Sequence, residues 1–239
     1  MRIIPRLDIK NNFIIKGINL EGLRKVGNPG EFLEKYYKQG AHEICLIDAV
    51  ASLYGRNNLF NIVKNASKNI FIPLTLGGGL RNLKDIDLAL KSGADKVAIN
   101  SSATENPKFI KEAAKQFGSS TIVVYIEAKK RKEKRWEAYK YFGREPTGLN
   151  VKDWIQKVQD LGCGEILLTS IDCEGMNQGM DYPLLDEIIE CINVPLIFSG
   201  GFNGKEDLNR IKKNYTNVSL SMSSKLHYNK LKIKDLLNK

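Results

Sequence analysis

An α/β barrel of eight parallel strands is what the 239-residue sequence predicts, and three observations carry it. Short β-branched apolar runs alternate with stretches of helical periodicity, the pattern of βα units around a parallel sheet. Eight such runs can be counted along the chain. The second half of the sequence also repeats the first, as expected of two four-strand halves closing into one (β/α)8 TIM barrel. Barrels of this kind commonly occupy about 250 residues as a single unit.

The elements follow in order. A strand is expected over 2–8 (RIIPRLD), then helical periodicity over 29–39 and a strand over 43–48 (EICLID). Strands at 71–76 (FIPLTL) and 96–100 (KVAIN) flank a helix at 83–91, and a helix at 107–117 leads to a strand at 121–127 (TIVVYIE). A helix at 152–161 precedes the strand 165–170 (EILLTS), and one at 184–191 precedes 195–199 (PLIFS); the last strand is 218–222 (VSLSM). No Pro/Ser-rich linker or shift in composition divides the chain, so 1–239 is expected to be one domain.

The repeat aligns 72–102 with 194–224 at an offset of 122 residues. It sets Pro73 on Pro195, Gly78 and Gly79 on Gly200 and Gly201, Asp85 on Asp207, and Ser101-Ser102 on Ser223-Ser224. The same offset brings Gly40 onto Gly162, Glu43 onto Glu165 and Leu46 onto Leu168. A period of half a chain is not that of a solenoid, whose repeats run roughly 20–50 residues.

Composition narrows the function classes. At 42% hydrophobic and 27% charged residues, the chain is ordinary for a soluble globular protein. The N-terminus meets its second charge at Arg6, too soon for a signal-peptide core, and no apolar run approaches a membrane span. A cytoplasmic protein is expected. Cys45, Cys163, Cys173 and Cys191 show no CxxC spacing and His42 and His227 lie far apart, so reduced structural cysteines and no metal are expected. The net charge of +10 suits nucleic acid, a membrane surface or an anionic small substrate. Its densest run, 129–135, lacks the interleaved aromatics of a nucleic-acid platform and reads equally as a solvated loop. No nucleic-acid partner is expected.

In such barrels the reactive groups stand at the C-terminal ends of the strands. Glycines there let backbone N–H groups approach a phosphate closely. Gly77-Gly78-Gly79 with Asn100-Ser101-Ser102, and Gly200-Gly201 with Ser223-Ser224, form two such groups at repeat-related positions. One alone is as well read as a tight turn; together they suggest a substrate with a phosphate at each end. Asp8 and Glu127 end strands in opposite halves. Either could cap a helix or shape a turn, and as a facing pair they could act as general acid and base. Arg2, Glu43, Lys96 and Glu165 open four strands. If they point inward, two positive and two negative side chains balance on the barrel floor, as a stabilising plug or as a gate.

At this point the residues match a known family. In order along the chain, RLDIK around Asp8, IPLTLGGGLR, GADKVAINS, ENP, VV-x-I-E-AK, PTG, DW, GxGEILLTSID and IFSGG resemble the cyclase subunit of imidazole glycerol phosphate synthase. The likeness covers nearly the whole chain and weakens after about Asn209. It implies a lyase of histidine biosynthesis, working without a cofactor as a heterodimer with a glutaminase subunit. Ammonia from the glutaminase would pass the gate of Arg2, Glu43, Lys96 and Glu165 and cross the lumen. There it would attack a bis-phosphorylated aminoimidazole carboxamide ribotide, giving imidazole glycerol phosphate. Asp8 and Glu127 would be the catalytic carboxylates. Gly78, Gly79, Asn100, Ser101, Gly200, Gly201, Ser223 and Ser224 would grip the phosphates, with Thr169, Glu174 and Gly175 also on the substrate. Lys16 would lie in a first loop that closes over it, and Asp95 would face the glutaminase.

Four departures stand out from the family pattern. Glu127 and Glu174 replace shorter aspartates, Arg6 replaces a small cysteine, and the region around the last two strands is eroded, with Lys225 beside the serines. Parity places Arg6 beneath Asp8 and Tyr125 beneath Glu127, on the path of ammonia. Three other functions are therefore carried forward. The chain could be a paralogue feeding ammonia to another acceptor, such as a surface-polysaccharide sugar. It could be a non-catalytic barrel that docks a glutaminase. The sister isomerase of the same pathway fits less well, because the floor charges and GxGEILLTSID match the cyclase.

Overall fold

The computed structural model describes residues 1–54, 59–133 and 135–237. Lys134, in the basic run, lies outside the described residues. Among the described residues there are twelve strands, eight of them in a β/α alternation and four in two hairpins. The strands are β1 (Ile3–Lys10), β2 (Phe13–Ile18), β3 (Glu21–Gly27), β4 (Ile44–Asp48), β5 (Leu74–Gly77), β6 (Lys96–Ile99), β7 (Ile122–Lys132), β8 (Arg135–Lys140), β9 (Glu145–Asn150), β10 (Glu165–Ser170), β11 (Leu196–Ser199) and β12 (Val218–Met222). The parallel order β10-β11-β12-β1-β4-β5-β6-β7 closes through a β7–β10 pairing into an eight-stranded barrel. The (β/α)8 fold expected from the sequence is thus the observed one.

The longer helices around it are α1 (Pro29–Lys38), α2 (Leu59–Ala66), α3 (Leu83–Lys91), α4 (Lys108–Phe117), α5 (Val151–Asp160), α6 (Tyr182–Ile188) and α7 (Lys205–Asn214). Local chemistry starts several of them. Asn28, Asn82, Asn150 and Asp181 each cap an N-terminus by accepting a backbone N–H, and proline occupies the first turn of α1 and of α6. Apolar stripes on the helices pack on the outer face of the strands as one cluster that includes Leu33, Ile86, Ile110, Trp154 and Ile211. A second cluster fills the lumen with Ile4, Cys45, Ala98, Val123, Leu167 and Ile197. Strand alternation sends neighbouring residues to these two sides.

Two antiparallel hairpins were not anticipated. β2–β3 extends from β1, and β8–β9 extends from β7. They obey the half-barrel repeat, since β8 begins 122 residues after β2 and ends 122 after it. At their tips Asn19-Leu20 and Tyr141-Phe142 sit at the same offset, and all four adopt positive φ. The usual hairpin signal is Asn-Gly or Asp-Gly, so leucine and phenylalanine there conceal the turn. Leu20 and Phe142 point inward, are buried, and join the lumen cluster.

The repeat is corrected in its last strand. Thr75 pairs with Lys96 and Ile197 pairs with Ser219, so β12 runs at an offset of 123 from β6. Helix α7 has 10 residues against 9 in α3, and that extra residue shifts everything after it. Asn100 therefore corresponds to Ser223, Ser101 to Ser224 and Ser102 to Lys225, rather than Ser101-Ser102 to Ser223-Ser224.

Candidate active site

The floor of the barrel is a closed ring of charge. Arg2 Nη1 lies 2.8 Å from Glu43 and Nη2 contacts Glu165, while Lys96 Nζ lies 2.9 Å from Glu43 and 2.8 Å from Glu165. Each cation thus touches both anions. Burial disfavours the charges on Arg2 and Lys96, but Glu165 and Glu43 outweigh it and raise both pKa values. Thr75 donates a further 2.6 Å hydrogen bond to Glu43. Asp95 stands exposed at this same end and accepts from the Leu74 N–H.

Above the ring the lumen is lined mainly by apolar side chains, with the buried Ser221 hydroxyl beside Ile4, until it reaches Arg6, which is fully buried. Arg6 Nε and Nη2 donate to the two oxygens of Asp8 at 2.9 and 3.1 Å. Nη1 donates to Thr169 and Ser199 at 2.8 and 3.0 Å, and Nη2 also lies 3.2 Å from Glu174. Burial opposes this cation too, yet Asp8 and Glu174 hold its pKa well above the usual value. Lys16, on β2, contacts Glu174 and lies 3.8 Å from Asp8. Burial alone would raise the Glu174 pKa; Arg6 and Lys16 reverse the sign and lower it to about 2.

Glu127 occupies the position on β7 that Asp8 occupies on β1. Asp8 pairs with Ile47 and Glu127 with Thr169, 122 residues further on. Its surroundings differ. Glu127 Oε2 accepts from Asn100 Nδ2 at 3.0 Å and from the Gly143 N–H at 2.8 Å, both neutral donors. Burial pushes its pKa up to about 7, against the Gly143 bond and the attraction of Arg6. Beneath it stands the buried Tyr125 hydroxyl, without a well-formed hydrogen bond.

Two hollows open beside these acids at the C-terminal ends of the strands. The first is lined by Gly78, Gly79, Asn100, Ser101, Ser102 and Glu127, together with Asp48, Ser52 and Tyr141. The second is lined by Glu174, Gly175, Gly200, Gly201, Ser223 and Ser224, with Asn177 and Lys225. Thr169 lies below, on Arg6, while Asp8 and Lys16 line neither hollow. Gly78 and Gly200 have φ of 91° and 107°, and a Cβ on either would strike the backbone of Asp48 or of its repeat partner Ser170. The backbone alone therefore requires glycine at both positions.

A family model described as histidine biosynthesis protein matches residues 2–232. The chain belongs to the histidine biosynthesis family. It is 51% identical over 209 residues to imidazole glycerol phosphate synthase subunit HisF of Legionella pneumophila, covering 87% of this chain and 99% of that one. It is 42% identical over 238 residues to the subunit of the same name from Clostridium botulinum (strain Okra / Type B1), covering 99% and 94%. The one from Dictyoglomus turgidum (strain DSM 6724 / Z-1310) is 46% identical over 212 residues, covering 89% and 84%. The chain is a HisF-type cyclase, an enzyme of histidine biosynthesis.

Within this HisF-type barrel, several side chains at the site escaped sequence reasoning. Gly143 and Phe142 reach it on the β8–β9 turn, and Ser52 on the short helix Ala51–Tyr54, where its hydroxyl accepts from the Gly79 N–H at 3.2 Å. Asp48 caps that helix through Val50 and Ala51. No periodicity marks such residues: Phe142 and Gly143 belong to a turn, Ser52 to a helix of a single turn, and Asp48 to the last position of β4. Most of the basic run is strand, with Lys129–Lys132 ending β7 and Arg135 opening β8; Lys130 lies over the Trp136 ring and Arg131 pairs with Glu137. No described helix is long and apolar enough to cross a membrane, and all four cysteines are unpaired.

Proposed function

We propose that the chain is an ammonia-dependent lyase that cyclises a bis-phosphorylated aminoimidazole carboxamide ribotide to imidazole glycerol phosphate. It would do so in the cytoplasm, as a single barrel domain over residues 1–239. The observation that carries this reading is the pairing of two repeat-related hollows, rich in glycine and hydroxyls, on either side of buried acids. A substrate with a phosphate at each end fits that spacing of donors, with Gly78, Gly79, Asn100 and Ser101 on one phosphate and Gly200, Gly201, Ser223 and Ser224 on the other. Lys225 adds a cation to the second hollow, and Lys16, Thr169, Glu174 and Gly175 would frame the middle of the ligand.

Asp8 and Glu127 are the proposed catalytic carboxylates. Attack by ammonia requires protons to leave nitrogen and others to reach a leaving oxygen. A carboxyl group that titrates near neutrality can take and return a proton at working pH, and Glu127 meets that condition. Ammonia would come from a glutaminase subunit docked on the face that holds Asp95 and the ring of Arg2, Glu43, Lys96 and Glu165, as a heterodimer. Ammonia, small and neutral, can cross the mainly apolar lumen where a hydrated ion cannot.

A second reading is favoured by one observation. Arg6 crosses the lumen where the resemblance leads one to expect a small residue, which suits a paralogue that passes ammonia to a different acceptor. Complementation separates the two. A strain lacking the cyclase, supplied with this chain and its glutaminase, should grow without histidine. Absence of growth, restored by Arg6→Cys with Glu127→Asp, would support the paralogue.

A further inference from the structure

We propose that Arg6 is a positioning residue that takes Asp8 out of proton transfer and leaves Glu127 to carry it alone. The inference rests on the cyclase reading and narrows it: of the two carboxylates proposed above, Glu127 moves the proton and Asp8 holds Arg6. Register makes the two acids equivalent, and it makes Arg6 equivalent to Tyr125, since Arg6 pairs with Cys45 and Tyr125 with Leu167, 122 residues on. Two matched strands thus carry the same acid position above different neighbours. On β7 the neighbour is a phenol, and on β1 it is a guanidinium that never sheds its charge.

Four of the five N–H groups of Arg6 donate hydrogen bonds, two to Asp8 and one each to Thr169 and Ser199, and its Nη2 also lies 3.2 Å from Glu174. Arg6 is fully buried and lines neither hollow, so it acts through what it holds. A proton placed on Asp8 would leave a buried cation facing a neutral acid, which is costly in a site sealed from water. Asp8 is 2% exposed and lines neither hollow, whereas Glu127 lines the first. Glu127 is held by neutral donors that tolerate either protonation state. The proton shed by nitrogen therefore passes to the Glu127 carboxylate and returns from it to the leaving oxygen. Asp8 remains the counter-ion that keeps Arg6, and with it Thr169, Ser199 and Glu174, in place.

The test is a set of kcat profiles against pH, with the bis-phosphorylated ribotide and free ammonia both saturating. The purified chain, Glu127→Gln, Asp8→Asn, Arg6→Met and the double variant Arg6→Met/Asp8→Asn would be compared. The wild-type profile should show one enzyme ionisation, that of Glu127. Glu127→Gln should lose about 10²–10⁴-fold. Asp8→Asn should also lose turnover, because it strands Arg6, and removing Arg6 as well should recover at least about tenfold of that loss. Two enzyme ionisations in the wild-type profile would overturn the proposal whatever the variants do. So would a loss from Asp8→Asn that is the same with and without Arg6. Failure of the underlying reading looks different: the wild type would not turn over the ribotide, or Glu127→Gln would retain full rate.

Discussion

At the scale of single residues, the sequence disclosed which groups would meet but not how they would be divided. Parity alone put Arg6 under Asp8 and Tyr125 under Glu127, and the structure places them so. The partner of Arg6 was legible only as a choice between two carboxylates. It binds Asp8, and it also binds Glu174, a residue in a turn that no periodicity could have aimed. Glu174 gives a pH prediction. Its pKa is depressed in the fold, so its stabilisation is full above about 4.5 and is lost as pH falls towards about 2. Breaking a buried ion cluster costs roughly 3–5 kcal/mol. Denaturation of Glu174→Gln should therefore show a large deficit against wild type near neutral pH, narrowing steadily below pH about 4.5. A deficit independent of pH would contradict the charge account. Glu127 acts with the opposite sign: burial raises its pKa, so it favours the fold while protonated and disfavours it as pH rises through about 7.

Among the elements, the eight barrel strands were legible because each is a short apolar run bounded by turn residues. Strand β5 begins at Leu74, later than expected, since Phe71 is 77% exposed and the chain enters the sheet after Pro73. Strand β7 continues to Lys132 because its charged end pairs with β8 instead of with the barrel. The hairpins stayed hidden for a physical reason: left-handed backbone at Leu20 and Phe142 costs roughly 1–2 kcal/mol per residue and is not a pattern a sequence advertises. Such strain persists where surrounding contacts over-determine it, and here the two side chains close the mouth of the lumen. Phe142→Gly should relieve the strain and admit water to Glu127. The ionisation seen in the rate profile should then move from about 7 to lower pH, with the fold retained. An unmoved ionisation would mean that Phe142 does not shield the acid.

For the molecule as a whole, the half-barrel repeat fixes the layout: two equivalent hollows at one end, one ring of charge at the other, and a mainly apolar lumen between. The repeat was readable in the sequence, apart from the single residue added at the end of α7. What it could not distinguish was a gate from a plug, since both need the same four charges. Lys96→Ala decides between them in the complex with the glutaminase. A gate predicts glutamine hydrolysis uncoupled from product formation in a folded variant, whereas a plug predicts lower stability with coupling intact. The central claim is tested most directly by giving the purified chain ammonium salt and the bis-phosphorylated aminoimidazole carboxamide ribotide, with no glutaminase, and following imidazole glycerol phosphate. The account predicts turnover that falls about 10²–10⁴-fold in Glu127→Gln; ribotide that binds and is never converted would contradict it.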